Sequence, residues 1–305
     1  MLKQRLLSGF VLASVGIALV VLDVLLEQRQ FYYRWLGWQP RGLLTCLLVT
    51  VLVIVAIREL YGLARAAGIY PFSLIGIVLS AYLVLETCGR GWTGQVLEPH
   101  LDRVDFTAFV LAGGLAAAFL LQVVRWGTKG AFANIGVTFL GVIYVGLLGS
   151  FLVRIRQMGW SAEQLYVPMQ GAHYLAVFIG TIKMTDICAF FSGKYGGQHR
   201  LIRSISPGKT VEGLFGGLAG GIITCVILCH LTGILTNLPW ALLLGIVLAG
   251  LGQLGDLAES IFKRDAKEKD SADSVPGFGG LLDVIDSLLV AAPLAFLIFA
   301  VLPSH

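Results

Sequence analysis

Charge is what this chain has least of. Only 13% of its 305 residues are Asp, Glu, Lys or Arg, against about 25% in soluble proteins, and its mean hydropathy is +0.83. That shortage excludes an ordinary soluble domain. Cysteine is scarce as well: Cys46, Cys88, Cys188, Cys225 and Cys229 lie mostly in apolar runs, without the paired spacing of a metal finger. Cys225 and Cys229 stand four apart on one helical face, where small residues pack between helices. His100, His173, His230 and His305 form no pattern, and His199 reads as a solvated loop residue. There is no internal repeat, no low-complexity tail and no G-x-x-x-x-G-K-[ST] phosphate loop. No A-x-A cleavage site precedes Glu27, so the apolar segment after Lys3 and Arg5 reads as a retained span. The pI of about 8.8 calls for no nucleic acid, because basic loops facing an anionic membrane surface account for it.

What the chain has in abundance is apolar runs near the ~20 residues that cross a bilayer. Nine are candidates: Leu6–Leu26, Leu43–Ile57, Phe72–Cys88, Phe106–Val124, Phe132–Val153, Ala172–Ser192, Gly213–Leu235, Leu238–Gly255 and Leu281–Leu302. The expected fold is an all-α polytopic integral membrane protein of about nine transmembrane helices. Lys194, Arg200, Arg203 and Lys209 follow the sixth run, and Lys263, Arg264, Lys267 and Lys269 follow the eighth. Basic loops stay cytoplasmic, so both loops and the N-terminus are expected on the cytoplasmic side. Arg29, Arg34 and Arg41 dissent, falling outside in this scheme. Trp35, Trp38 and the tyrosines around Tyr32 read as an interfacial belt.

The charges that exist are concentrated. Eight of the 18 acidic residues lie between Gly255 and Asp286. Residues 1–171 carry no dense motif and read as spans one to five, a lipid-facing scaffold. Residues 172–305 hold the polar spans and the loops 193–212 and 256–282. Asp256, Glu259, Ser260 and Lys263 recur at i, i+3, i+4 and i+7, one helical face. They form either a solvated helix end with internal ion pairs or, because Asp256 directly follows an apolar run, a functional polar edge. Asp283 and Asp286, three apart, either favour a helix dipole or share a cation, since Mg²⁺ takes one or two carboxylates plus substrate phosphates. Pro276, Gly277, Phe278, Gly279 and Gly280 form a tight turn into a helix start, a plain turn or an anion site. Lys209 and Thr210 stand before the seventh run. Lys183 and Asp186, inside the sixth, are a buried ion pair or part of the same polar chamber as Asp256. Gly213, Gly217 and Gly221 are spaced for close helix approach.

Together these residues resemble the phosphatidate cytidylyltransferase family, also called CDP-diacylglycerol synthases. The family signature S-x-x-K-R-x4-K-D-x5-P-G-H-G-G-x-x-D-R-x-D is matched at Ser260, Lys263, Arg264, Lys269, Asp270, Pro276, Gly277, Gly279, Gly280, Asp283 and Asp286. A second block, S-P-x-K-T-x-E-G, stands at Ser206–Gly213 and includes Lys209, Thr210 and Glu212. Asp186 to Gly193 looks like the family's D-x-x-A-[YF]-x-x-G segment. The resemblance covers roughly residues 180–305 and the multi-span layout. Phe278 replaces the family histidine and Val284 the family arginine, so no acid–base role for that histidine applies here.

The resemblance implies Mg²⁺-dependent nucleotidyl transfer, CTP plus phosphatidic acid to CDP-diacylglycerol plus pyrophosphate, in a bacterial cytoplasmic membrane. It implies catalytic roles for Asp256, Asp283, Lys263 and Arg264. Asp256 and Asp283 are expected as principal metal ligands, with Asp286 and Asp186 supporting and room for a second cation. Ser206, Lys209, Thr210, Glu212, Ser260, Lys269, Asp270, Pro276, Gly277, Gly279 and Gly280 are expected to bind substrate. The family's tendency toward dimers implies a homodimer. A CTP-dependent polyprenol or phytol kinase is a neighbouring reading, which the long C-terminal match disfavours. A CDP-alcohol phosphotransferase needs aspartates four apart, and Asp283 and Asp286 are three apart. A transporter more often shows repeated halves with a midplane site.

Overall fold

The computed structural model describes residues 2–36, 41–93, 103–159, 168–272, 274–275 and 279–301. The order is α1 (Leu2–Gln28), α2 (Phe31–Leu36), α3 (Leu43–Ala66), α4 (Ser73–Thr93), α5 (Arg103–Arg125) and α6 (Ala131–Gly141). A wide π-helical turn, Val142–Leu147, joins α6 to α7 (Leu148–Arg156). Then come α8 (Pro168–Gly196), the hairpin β1 (Arg200–Ile202) and β2 (Ser206–Thr210), α9 (Val211–Thr232), α10 (Leu238–Asp265) and α11 (Leu282–Val301).

Among the described residues, seven helices are long and apolar enough to cross a membrane: Leu43–Ala66, Phe106–Arg125, Ala131–Arg156, Pro168–Gly196, Val211–Thr232, Leu238–Asp265 and Leu282–Val301. The chain is therefore an all-α polytopic membrane protein. The two remaining apolar runs of the sequence are also helical, as α1 and α4, but stand outside that set; the apolar part of α4, Ser73–Gly89, is shorter.

The described chain packs as two compact units. The first comprises Met1–Arg154 and Asp265–Asp283. Its helices are pinned by polar contacts that satisfy orphan backbone groups. The Tyr61 hydroxyl donates to the Thr138 carbonyl at 2.7 Å, and the Phe72 amide donates to Thr138 Oγ1 at 2.9 Å. Asp23 of α1 receives the Leu44 amide at 3.0 Å and the Thr45 hydroxyl at 2.8 Å, capping the start of α3. Leu79, Leu83 and Val142 form an apolar cluster. Cys46 and Cys88, which read in the sequence as residues of apolar runs, form a disulfide between α3 and α4, their Cα atoms 6.2 Å apart.

The second unit comprises Ile155–Arg264 and Val284–His305. Here the glycine spacing in α9 serves close helix approach, as the sequence suggested. A Cβ at Gly217 would lie 2.8 Å from Ala189 Cβ and 3.0 Å from the Thr185 carbonyl oxygen of α8. Cys225 and Cys229 are fully buried on the same helix, their sulfurs 4.0 Å apart. Packing groups the Asp265–Asp283 segment with the N-terminal helices, a grouping that a functional division at residue 171 does not address.

Candidate active site

The second unit builds its polar site from three helix ends and the hairpin. The β1–β2 ladder pairs Arg200 with Thr210 and Ile202 with Ser206. Thr210 leaves the strand in an extended conformation and caps α9, its hydroxyl accepting from the Gly213 amide at 3.0 Å. Glu212, in the first turn of α9, reaches back to the hairpin. It accepts from the Gln198 amide at 3.1 Å and meets His199 Nδ1 at 2.6 Å. These contacts fix the strand-to-helix corner and so aim Lys209. Its Nζ lies 2.7 Å from Asp256 Oδ2.

Asp256 sits in the second half of α10, where the helix continues past the apolar run and presents its polar face. The Ser260 hydroxyl donates to the Asp256 carbonyl at 2.8 Å, and Lys263 pairs with Glu259 at 2.6 Å, the i, i+4 geometry of a helix. Arg264 Nε donates to the Ile205 carbonyl at 3.1 Å, tying the end of α10 to the hairpin turn. Gly255 sets the spacing to α11. A Cβ there would lie 2.7 Å from the Asp286 carbonyl oxygen and 2.8 Å from Ser287 Cα. The helices can therefore approach closely at this level, and Asp286 is buried at 3% exposure.

Asp256, Glu259 and Asp286 each offer an oxygen, all within 4.8 Å of one another. Two oxygens on opposite sides of one Mg²⁺ stand about 4.2 Å apart, twice the ~2.1 Å bond. Small rotamer changes would close these carboxylates on one hard cation, so the donor set fits Mg²⁺. Lys183 of α8 supplies a third ammonium. It donates to the Val284 carbonyl at 2.8 Å and the Ser287 hydroxyl at 3.2 Å, and pairs with Asp186 at 3.4 Å. Lys183, Lys209 and Lys263 thus pair with Asp186, Asp256 and Glu259, and the charge of Lys183 also acts on Asp286. Among the described residues the hydrogen bond to Asp286 comes from the Ser287 amide, at 2.5 Å.

The first unit holds the remaining signature residues. Asp283 Oδ2 accepts from the Ser271 amide at 3.1 Å, the Ser271 hydroxyl at 2.9 Å and the Gly280 amide at 2.7 Å. Val275 and Gly279 exchange both backbone hydrogen bonds, at 2.7 and 3.1 Å. Gly279 has φ of +102°, and a Cβ on it would meet Asp283 Oδ2 and the Asp270 side chain. Lys269 and Asp270 are exposed. Pro276, Gly277 and Phe278 lie outside the described residues.

The structure thus brings Lys209, Asp256, Ser260, Lys263, Arg264, Asp286 and Asp186 together in one unit, with Ser206, Thr210 and Glu212 in the hairpin that supports them. It places Asp283, Gly279 and Gly280 in the turn of the other. Two carboxylates carry more in the structure than their sequence positions announce. Glu259 is a member of the helical face and fits the family pattern beside Ser260, and its i, i+3 relation to Asp256 also carries a signal for a shared cation. Glu59 has no role in the sequence reading; it follows Arg58 just past the apolar run Leu43–Ile57, where a charged helix end raises no signal.

Comparison with known proteins adds a second line. The model of the cytidylyltransferase family matches residues 3–302. A phosphatidate cytidylyltransferase of Synechocystis sp. is 31% identical, over 96% of this chain and 94% of its own length. One from Bacillus subtilis is 28% identical over 98% of both chains. One from Staphylococcus aureus is 30% identical over 83% of this chain and 88% of its own.

Proposed function

The chain belongs to the cytidylyltransferase family, and from that premise we infer that it is a phosphatidate cytidylyltransferase, a membrane-embedded nucleotidyltransferase of phospholipid biosynthesis. It joins CTP and phosphatidic acid to give CDP-diacylglycerol and pyrophosphate. A phosphate oxygen of the lipid forms the new bond to the α-phosphorus of CTP as the bond to the β-phosphate oxygen breaks. The lipid phosphate is already anionic, so the reaction needs no strong base. Its obstacle is repulsion between two polyanions.

The lysine–carboxylate arrangement of the second unit supports this reading more than any other single observation. Lys209 and Lys263 stand next to the carboxylates that would hold a metal ion, where they can neutralise phosphate oxygens. Arg264 of the same unit adds a further cation, and Lys269 is proposed as a phosphate contact. Mg²⁺, bound by Asp256 with Glu259 and Asp286, would supply charge neutralisation and alignment of the triphosphate. Asp283, which the resemblance implies as a principal ligand, and Asp186 are proposed as further ligands, with room for a second cation. Ser206, Thr210, Glu212, Ser260, Asp270, Pro276, Gly277, Gly279 and Gly280 are proposed to bind substrate. The site faces the cytoplasm of a bacterial cell in a nine-span arrangement with the N-terminus inside. The lipid enters from the bilayer, and the protein works as a homodimer.

Purified protein given radiolabelled CTP, Mg²⁺ and phosphatidic acid should yield labelled CDP-diacylglycerol. Absence of that product at saturating Mg²⁺ would overturn the reading. Labelled phosphate transferred from the γ-position to a polyprenol or phytol would favour the kinase alternative.

A further inference from the structure

We propose that Glu59 is the positioning residue for the turn that opens α11, an inference that rests on the cytidylyltransferase reading and adds to it a residue from the N-terminal half. Glu59 lies on α3, 8% exposed, and its contacts are with a segment more than two hundred positions later. One oxygen, Oε1, accepts from the Leu281 amide at 3.0 Å and from the Ser274 hydroxyl. The other, Oε2, accepts from the Leu282 amide at 2.7 Å and sits 3.3 Å from the Ser271 hydroxyl.

Each oxygen therefore takes one backbone amide and faces one serine. Leu281 and Leu282 are the residues at which the turn becomes helix, and their amides belong to the first turn, which has no partner inside the helix. A carboxylate held there satisfies both donors at once and interacts favourably with the helix dipole. Ser271 carries the effect onward. Its hydroxyl lies between Glu59 and Asp283, and with its amide it meets the same Asp283 oxygen that accepts from Gly280.

Gly280 shows how closely this clamp is fitted, since a Cβ there would collide with Ser271 Oγ and press on the Glu59 carboxylate. The side chain of Glu59 thus fixes where α11 begins and how the Asp283 carboxyl is turned. It acts through those residues and touches no substrate.

Glu59→Gln tests the proposal. An amide in this place turns an NH₂ group toward groups that also donate, leaving buried donors unpaired. Hydrogen exchange of the full-length protein in detergent should show the Leu281 and Leu282 amides exchanging about tenfold faster or more, with α8 and α9 unchanged. Turnover should fall about 10–100-fold, mostly in kcat, and the melting temperature should hold within a few degrees. Glu59→Asp retracts the carboxylate by one methylene and keeps its charge. It should give intermediate exchange and turnover, and it decides the matter if the glutamine variant does not fold. Wild-type exchange at Leu281 and Leu282, or faster exchange with wild-type kcat, would overturn the proposal. The exchange measurement needs no substrate, so an inactive parent protein would count against the cytidylyltransferase reading while the clamp itself was still judged.

Discussion

Lys209 Nζ lies 2.7 Å from Asp256 Oδ2, although a whole membrane helix separates the two in the chain. The pair joins a cation on the second hairpin strand to the carboxylate nearest the apolar part of α10. Replacing Lys209 with Met should raise the KM for CTP about tenfold or more, because a charge-assisted phosphate contact is lost. The KM for phosphatidic acid should change less. Asp256→Asn should instead lower kcat by about 100-fold or more, the usual cost of losing a group that stabilises developing charge. Steady-state kinetics with each substrate varied in turn would check both. Equal KM effects for the two substrates in Lys209→Met would remove that lysine from the nucleotide.

The carboxylates can be sorted by their response to Mg²⁺. Glu259→Gln and Asp286→Asn should each raise the half-saturating Mg²⁺ concentration about tenfold or more, as loss of an oxygen ligand requires. Asp283→Asn should raise it too if Asp283 is a ligand. An Asp283→Asn protein with lower kcat and an unchanged Mg²⁺ requirement would confine that residue to ordering the turn with Ser271 and Gly280.

Lys183 offers a third measurement. Val284 stands where the family pattern has arginine, and the carbonyl of Val284 is the nearest partner of the Lys183 ammonium. Lys183→Met should leave the Asp186 carboxylate without its cation and the start of α11 without a cross-link. Activity is expected to fall about tenfold or more. Wild-type activity in Lys183→Met would show that the ammonium only solvates itself within the span.

Gly255→Ala tests the contact between α10 and α11. The added methyl cannot be placed without moving backbone, because the atoms that it meets are the Asp286 carbonyl and Ser287 Cα. A stability loss of about 1–3 kcal/mol is expected, together with lower activity, since Asp256 and Asp286 would be pushed apart. A melting curve and a Mg²⁺ titration on the same sample would reveal both.

Much of this was legible in the sequence. The apolar runs located the helices, because spanning length and hydrophobicity are properties of single segments. The i, i+3, i+4 spacing located the polar face of α10, because a helix fixes such neighbours by itself. What could not be read were pairings between distant segments. Nothing in the spacing of Cys46 and Cys88 tells of a disulfide, and nothing near Glu59 tells of Leu281. The spacing within α10 carries that helix past its apolar run through Lys263 and Arg264, and the helix indeed runs to Asp265. The Asp283–Asp286 spacing suggested one shared cation. In the structure Asp286 joins Asp256 and Glu259, whereas Asp283 accepts three hydrogen bonds from its own turn.

The clamp on α3 has a consequence for how the chain can be divided. A polypeptide beginning after residue 171 would contain every signature motif and still lack the one carboxylate that seats Leu281 and Leu282. Such a fragment should be silent alone and regain turnover when the missing half is supplied as a separate chain. Complementation of this kind should be about 10–100-fold weaker if the supplied half carried Glu59→Gln. Sequence motifs mark where chemistry is done, but the smallest piece able to do it is set by the farthest residue that holds those motifs still.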